Sequence, residues 1–545
     1  MKNISKIVLL TLLVLSQSSY SQQEETPKLI VGVVIDQMRA EYLYRFQDNY
    51  TENGFKRLIK EGFNVKNTHY NYIPTATGPG HTSIYTGTTP ANHGIMGNSW
   101  YSRALKREVY CAEDSTVYLV DNNGIDKGVT YKNYSRSPKN VMATTITDEL
   151  KLFTNGRSKV IGLSIKDRAS IFPAGHMADA AYWYNSNNGN FITSSYYKND
   201  LPKWLKEFNN QKRADSLLNL VWKPLLPINK YKNSGEDNAS FEKIHKGRKN
   251  STLPYKLNEL RKANGDFAFL AEVPYGNTLL TQLALTTLKG EHLGKGDDVD
   301  FLAISYSSTD YIGHNYGVRS KEIEDTYVRM DREIATLLNG LDKELGKGNY
   351  TLFLTSDHAC SDHPPFLNAM RLPGKFYNPK SIGEDLNSHL SKIYGEANYV
   401  LNIDKLQVYL ADTTIDKEAL VKETQKFLKT VEGVKETFAP EFTVLNLNNS
   451  VIGAIIRNSY HSKESGDVIF HFQPGWMLDR NYGASHGHCY TSDTHVPLLW
   501  YGMNIPKGES VKPYTITQIA PTLSMLLNIP FPNSSNTRPI EILFK

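Results

Sequence analysis

At 545 residues with 11% aromatic and 21% charged side chains, the chain is too apolar to remain disordered and long enough for a large α/β domain with insertions. Its formal net charge of +5 falls to +3 once Lys2 and Lys6 are set aside with a leader, too mild a balance to indicate a nucleic-acid partner. Three cysteines, Cys111, Cys360 and Cys489, cannot all pair within one chain and lack zinc-ribbon spacing.

The basic start MKNISK, the apolar stretch IVLLTLLVL and a small-residue segment ending near Ser19 and Ser21 read as a signal peptide over residues 1–21, so a periplasmic or secreted protein is expected. The apolar stretch is short for a span of about 20 residues. With no later run of that length and no Cys to carry a lipid, no stable membrane anchor is expected. LIVGVVID then reads as a buried strand closing on Asp36, followed by helix-like sequence through Arg57 and Leu58. The long loop NYIPTATGPGHTSIYTGTTPANHGIMGNSWY is dense in Gly and Pro, which suits backbone held close to a ligand. Within it, HTSIYTG reads as the first turns of a helix whose N-terminus favours an anion. SKVIGLSIKDR predicts a strand with Lys166 and Arg168 at its end.

From about 169 to 297 the sequence turns polar and aromatic and reads as an insertion covering a crevice. The core pattern resumes with FLAISYSSTD, ending on Asp310, and YTLFLTSDH, ending on Asp357 and His358. A second insertion is expected at about 365–480. It holds a small β-α-β unit from Tyr399 to Phe442 around the helical KEALVKETQKFLKTVEG. HVPLLWYG is a further buried strand, and TITQIAPTLSMLLN closes the chain as a helix. Cys360 and Cys489 flank the site-bearing segments, where a disulfide is an alternative to buried or idle thiols.

Near-continuous apolar runs suit buried parallel strands, and in open α/β sheets ligands bind just past the carboxyl ends of such strands. The terminal carboxylates therefore converge, and several anionic oxygens in one crevice call for metal cations. Asp310 and His314, four apart on a helix, can share one ion, with His486 as a third ligand. Asp357 and His358 are adjacent, so both reach a second ion only where their strand ends and turns; Asp36 completes that triplet. Each triplet leaves coordination positions open, as catalytic zinc sites do. Metal would also activate a threonine hydroxyl, and Thr77 is the candidate nucleophile, with Thr75 and Ser83 as rivals. His81, His93, His363, His488 and His495 are not excluded as ligands by chemistry alone.

The order of Asp36, Thr77, the Asp310/His314 pair, the Asp357/His358 pair and His486 resembles the alkaline phosphatase superfamily over nearly the whole mature chain. PTATGPGHTS, GNSWY, SIKDRASIFPAGH and HGHCYTSDTHVPLLWYG are similar to the phosphate-irrepressible, PafA-type alkaline phosphatases in particular. The resemblance implies a three-layer α/β fold with a mostly parallel central sheet, helices on both faces and two lid insertions. It implies two Zn2+ per chain, one held by Asp310, His314 and His486 and the other by Asp36, Asp357 and His358. Thr77 is then the nucleophile, bound to the second zinc, and Asn98, Lys166 and Arg168 contact the phosphoryl oxygens. The implied activity is alkaline phosphatase, hydrolysing small-molecule phosphate monoesters through a phosphothreonine intermediate, and a monomer is expected. SDHACSDHPPF, with His363 and Cys360, departs from the pattern just after the Asp357/His358 pair.

The closest alternative is a phosphodiesterase of the nucleotide pyrophosphatase group. A monoester dianion presents an anionic oxygen that a diester lacks, and Lys166 and Arg168 can meet it. A sulfatase would need Cys or Ser followed by Pro and Arg around Thr77. A binding or metal-storage protein would leave the ordered triplets and the nucleophile loop unexplained.

Overall fold

The computed structural model describes residues 26–126, 136–443 and 450–544; the expected signal peptide, 1–21, lies outside the described residues. Strand β1 (Leu29–Ile35) is seven consecutive buried residues, followed by β2 (Phe63–His69) and helix α1 (Thr77–Thr86). Next come β3 (Val160–Ser164), α2 (Asp167–Ala174), β4 (Ala180–Tyr184), β5 (Phe191–Ser194) and α3 (Tyr275–Gly290). β6 (Asp300–Tyr306), α4 (Ser308–Tyr316), α5 (Lys321–Leu345) and β7 (Tyr350–Thr355) complete the central part. The chain then leaves for a smaller unit before returning through β12 (Leu498–Gly502) and α8 (Ile519–Leu527).

The main sheet runs β2-β12-β7-β1-β6-β3-β4-β5, with residues 495–496 beyond β2 and the hairpin of Leu119–Asp121 and Gly124–Asp126 beyond β5. Alternate residues of β1 enter two cores. Leu29, Val31, Val33 and Ile35 pack with α3 and α5, while Ile30 and Val34 pack with α1 and α8. Helices thus cover both faces, which is why β1 is apolar throughout instead of alternating. The three-layer α/β fold is as expected, and the sheet is mixed. Five central strands, β7-β1-β6-β3-β4, are parallel, but β12 runs antiparallel to β7 and β5 antiparallel to β4. A buried apolar run such as HVPLLWYG carries no mark of its direction, so the antiparallel wings are invisible to periodicity.

The register decides the site. Ile35 pairs with Tyr306, Val34 with Thr355, and Ser305 with Ser164, so β3, β6, β1 and β7 end side by side.

The expected insertion at 169–297 is narrower than its sequence suggests. α2, β4 and β5 open the stretch and α3 closes it, and all four pack on or extend the main sheet. Between them, 195–274 holds only short helices, such as Lys203–Asn210, and the small strand pair of Val221–Trp222 with Tyr255–Lys256. The short strands AYWY and FITS resemble loop sequence because they are aromatic and flanked by polar turns. The segment at 365–480 holds α6 (Pro379–Tyr394), β8 (Val400–Asp404), β9 (Gln407–Leu410), α7 (Lys417–Leu428), β10 (Val434–Phe438) and β11 (Val468–Phe472). Its strands form a separate antiparallel sheet in the order β8-β9-β11-β10, over its own core of Leu386, Leu420, Val408 and Phe470. No described helix is long and apolar enough to cross a membrane. Cys111, Cys360 and Cys489 are all free thiols; Cys360 packs in the main core and Cys489 against a different cluster, so the disulfide alternative is not formed.

Candidate active site

Asp36 directly follows β1, and its carbonyl oxygen accepts a hydrogen bond from Thr309 Oγ1 at 2.6 Å. Asp357 and His358 lie past the end of β7, in a turn braced by Ser356, whose Oγ donates to His358 O at 2.7 Å and accepts from Met38 N at 2.8 Å. Leaving the strand frees these neighbours from opposite faces. Asp310 and His314 sit one turn apart on α4, with His314 Nε2 3.1 Å from Asp310 Oδ1. The loop after the small sheet brings in His486, whose Nε2 is 3.8 Å from Asp310 Oδ1; its ring stacks on His358 with centroids 3.6 Å apart.

The donor set fits metal. Asp36 Oδ1, Asp357 Oδ2 and His358 Nε2 are buried without any hydrogen-bond partner, and His358 Nε2 lies 3.5 Å from the first and 3.6 Å from the second. Ligands about 2.1 Å from a tetrahedral ion stand roughly 3.4 Å apart. Orphaned buried polar atoms at that spacing are otherwise costly. Nδ1 of each ring faces a backbone carbonyl: His314 that of Ala484 at 2.7 Å, His358 that of Ala359 at 3.0 Å, and His486 that of Thr75 at 2.6 Å. Donation there leaves Nε2 as the lone-pair nitrogen, the usual arrangement behind a metal-binding histidine. His358 stands between two candidate groups, Asp36–Asp357–His358 and Asp310–His358–His486, and His314 joins the second through Asp310.

Electrostatics points the same way. Burial and the neighbouring Asp357 push Asp36 well above the usual carboxylate range, against the pull of Lys166. Burial would also raise Asp310, but His314 and Lys166 hold it well below that range. Burial, with His358 and His314 beside it, keeps His486 well below the ordinary imidazole value and therefore neutral.

Thr77 is the first residue of α1 and is buried. The helix closely approaches the turn after β7 because residue 80 is glycine: a Cβ there would stand 2.2 Å from Asp357 O. The rival hydroxyls are committed elsewhere. Thr75 Oγ1 accepts from Gly487 N at 3.0 Å and donates to His488 O at 3.4 Å, while Ser83 Oγ meets His93 Nε2 at 2.9 Å. Thr77 Oγ1 has one neighbour of this kind, Lys166 Nζ at 3.4 Å. The same ammonium bridges Asp36 Oδ2 at 2.7 Å and Asp310 Oδ2 at 2.6 Å. Asn98 Oδ1 accepts from Gly78 N at 2.7 Å, which leaves its Nδ2 as the free donor. Arg168, at the start of α2, donates to Tyr110 Oη at 3.1 Å and keeps a buried, unpartnered Nε.

The structure thus links Asp36, Thr77, Lys166, Asp310, His314, Asp357, His358 and His486 by direct contacts past the strand ends, with Asn98 held on Gly78 and Arg168 two residues beyond Lys166. His93, His363, His488 and His495 fall outside the ligand groups. His81 comes near, with Nδ1 3.5 Å from Asp357 Oδ2, but its nitrogens are engaged by Thr77 O at 2.9 Å and Ser305 Oγ at 2.8 Å. Sequence reasoning missed Gln37. In a left-handed backbone turn (φ 65°), its Nε2 donates to Asp310 Oδ1 at 2.6 Å and its backbone N–H to Asp357 Oδ1 at 3.2 Å, tying both ligand groups together. Gly313 makes the room, since a Cβ there would overlap the Gln37 carboxamide. A Gln next to Asp36 was the only available signal.

A family model described as type I phosphodiesterase / nucleotide pyrophosphatase matches residues 30–496. A protein of Myroides odoratus named calcium-transporting ATPase is 41% identical over 530 residues, 96% of this chain and 95% of its own. Alkaline phosphatase PafA of Elizabethkingia meningoseptica is 40% identical over 533 residues, 94% of each chain. The crystal structure of wild-type alkaline phosphatase PafA superposes with a TM-score of 0.89 at 39% identity, covering 95% of this chain and 98% of that one.

Proposed function

The chain belongs to the type I phosphodiesterase / nucleotide pyrophosphatase family of the alkaline phosphatase superfamily, and from its likeness to alkaline phosphatase PafA we propose that it is an alkaline phosphatase, hydrolysing small-molecule phosphate monoesters. Two zinc ions are its cofactors in this reading, one held by Asp310, His314 and His486, the other by Asp36, Asp357 and His358. When bound, they supply the positive charge that activates a threonine oxygen and stabilises a departing ester oxygen. Thr77 Oγ1 attacks phosphorus in line as the ester P–O bond breaks and the alcohol or phenol leaves, giving phosphothreonine; water then attacks that phosphorus, the Thr77 Oγ1–P bond breaks, phosphate is released and the hydroxyl is restored. Asn98 Nδ2, Lys166 and Arg168 hold the non-bridging oxygens as charge redistributes.

The observation that carries the reading is the buried Lys166 ammonium 3.4 Å from Thr77 Oγ1, with Arg168 two residues on. Two protein cations beyond the metals suit a dianionic monoester better than a diester, which carries one negative charge fewer. The transport in the name of the Myroides relative is not proposed for this chain. The short apolar run within residues 1–21 supports export to the periplasm or medium, and a site built wholly from one chain supports a working monomer. The test is kcat/KM for phenyl phosphate against methyl phenyl phosphate on one purified sample. A clear monoester preference is expected, and a diester preference would overturn the reading.

A further inference from the structure

A cavity of about 350 Å3 opens between the Pro74–Ala76 loop and the small sheet. Its walls are apolar at Pro74, Tyr377, Ile403 and Leu406, and His314 and His486 stand in its lining. If Thr77 attacks in line, the ester oxygen departs on the side away from Thr77, toward these two histidines. The group attached to that oxygen then occupies this cavity, a conclusion that rests on the monoesterase reading.

Arg480 also lines the cavity. Its guanidinium is half-buried with an unpartnered Nε, and among the described residues no carboxylate forms an ion pair with it. Both of its hydrogen-bond contacts are to His314, Nη1 2.7 Å from Nδ1 and Nη2 3.3 Å from the carbonyl oxygen. The first contact conflicts with the 2.7 Å contact from the same Nδ1 to Ala484 O. A neutral imidazole with Nε2 free as acceptor carries its proton on Nδ1, so Nδ1 donates to Ala484 O and cannot accept from Arg480. Arg480 is then left with one backbone acceptor. A partly buried guanidinium that short of acceptors is unfavourable unless an anion meets it. The other charged groups lining the cavity do not supply one: Lys405 is a cation that donates to Ser99 O at 2.9 Å, and Asp404 makes no ion pair with Arg480 among the described residues.

We propose that Arg480 determines specificity by binding a carboxylate on the leaving portion of the substrate, so that the favoured esters join an apolar or aromatic body to a carboxylate. A planar guanidinium fork matches a carboxylate in geometry as well as charge. The apolar walls take the body of the leaving group.

The test compares phenyl phosphate, para-carboxyphenyl phosphate and its neutral carboxamide counterpart on the unaltered protein, Arg480→Met and Arg480→Lys, with metal content measured on each. Dividing the unaltered value by the variant value for the same ester cancels intrinsic reactivity. Arg480→Met is expected to lower kcat/KM for the carboxylate ester about tenfold more than for the other two, mainly through KM, with metal content retained. Arg480→Lys should recover part of the difference. Equal losses on all three esters, or loss of metal, would mean that Arg480 only positions His314 and would overturn the proposal, as would no loss on any. Failure of the unaltered protein to turn over phenyl phosphate would remove the monoesterase reading itself, and this inference with it.

Discussion

Thr75, Thr77 and Ser83 share one loop and helix, and they differ in what each hydroxyl already holds. Thr75 is tied to residues 487 and 488, Ser83 to His93, and Thr77 only to the Lys166 ammonium. Thr77→Ser is expected to stay within about tenfold of the unaltered turnover, because a hydroxyl remains, while Thr77→Ala should lose at least roughly a thousandfold. Acid trapping and peptide mapping should find phosphate on Thr77; label on Thr75 or Ser83 would contradict the assignment. Lys166→Ala and Arg168→Ala should each cost about 2 to 4 kcal/mol in the transition state for an aryl monoester. The matching methyl aryl diester should lose far less, and equal losses would assign both residues a structural role. Gln37→Ala should weaken metal binding about 10- to 100-fold, read by competition with a chelator, since Gln37 supports ligands in both groups. Asp36, Asp310, Asp357 and His358 were legible because each stands at the end of an apolar run, and His314 because it follows Asp310 by one helical turn. Gln37 was not, because its role depends on a left-handed turn and on the space at Gly313, neither of which has a pattern in the chain.

At the scale of elements, α1 is where packing meets chemistry. Its Gly80 lies so close to the turn after β7 that a methyl group must displace either the helix or Asp357. Gly80→Ala should therefore cost about 1 to 3 kcal/mol of stability, measured by urea unfolding, and should lower metal affinity with it. The other end of α1 is tied by Ser83 to the buried His93, whose imidazole burial pushes down to about 3, with His461 adding to the effect. Below an unfolded value of about 6.5, the unfolded chain takes up a proton that the folded chain refuses. This contribution is therefore fully present above that pH and is lost as pH falls toward 3. His93→Asn should be less stable near neutrality and should show a shallower loss between these limits; parallel curves would contradict the argument. Strand positions were readable from apolar runs, but the start of α1 was not: the sequence puts its first turns at HTSIYTG, whereas the helix begins at Thr77, because Gly78, Pro79 and Gly80 hide its first turn. Strand direction was not readable, nor was the membership of β4 and β5 in the main sheet, because both depend on neighbours distant in sequence.

Across the whole molecule, four parallel strands end in register, and two other segments, the loop at 74–77 and the loop at 480–488, close over their ends. The first part follows from a pattern visible in the chain. The second does not: His486 reaches Asp310 only after the chain has built a separate antiparallel sheet, so no spacing in the sequence reports their approach. The central claim is that two triplets hold two metal ions around a threonine nucleophile tuned to a dianionic ester. Its most direct test is elemental analysis after dialysis, with monoester and diester turnover measured on the same sample. The account predicts about two zinc equivalents per chain, with both metal and activity lost in Asp310→Ala and His358→Ala, and a strong monoester preference. Full activity with a single reproducible equivalent, or turnover that survives complete metal removal, would contradict it.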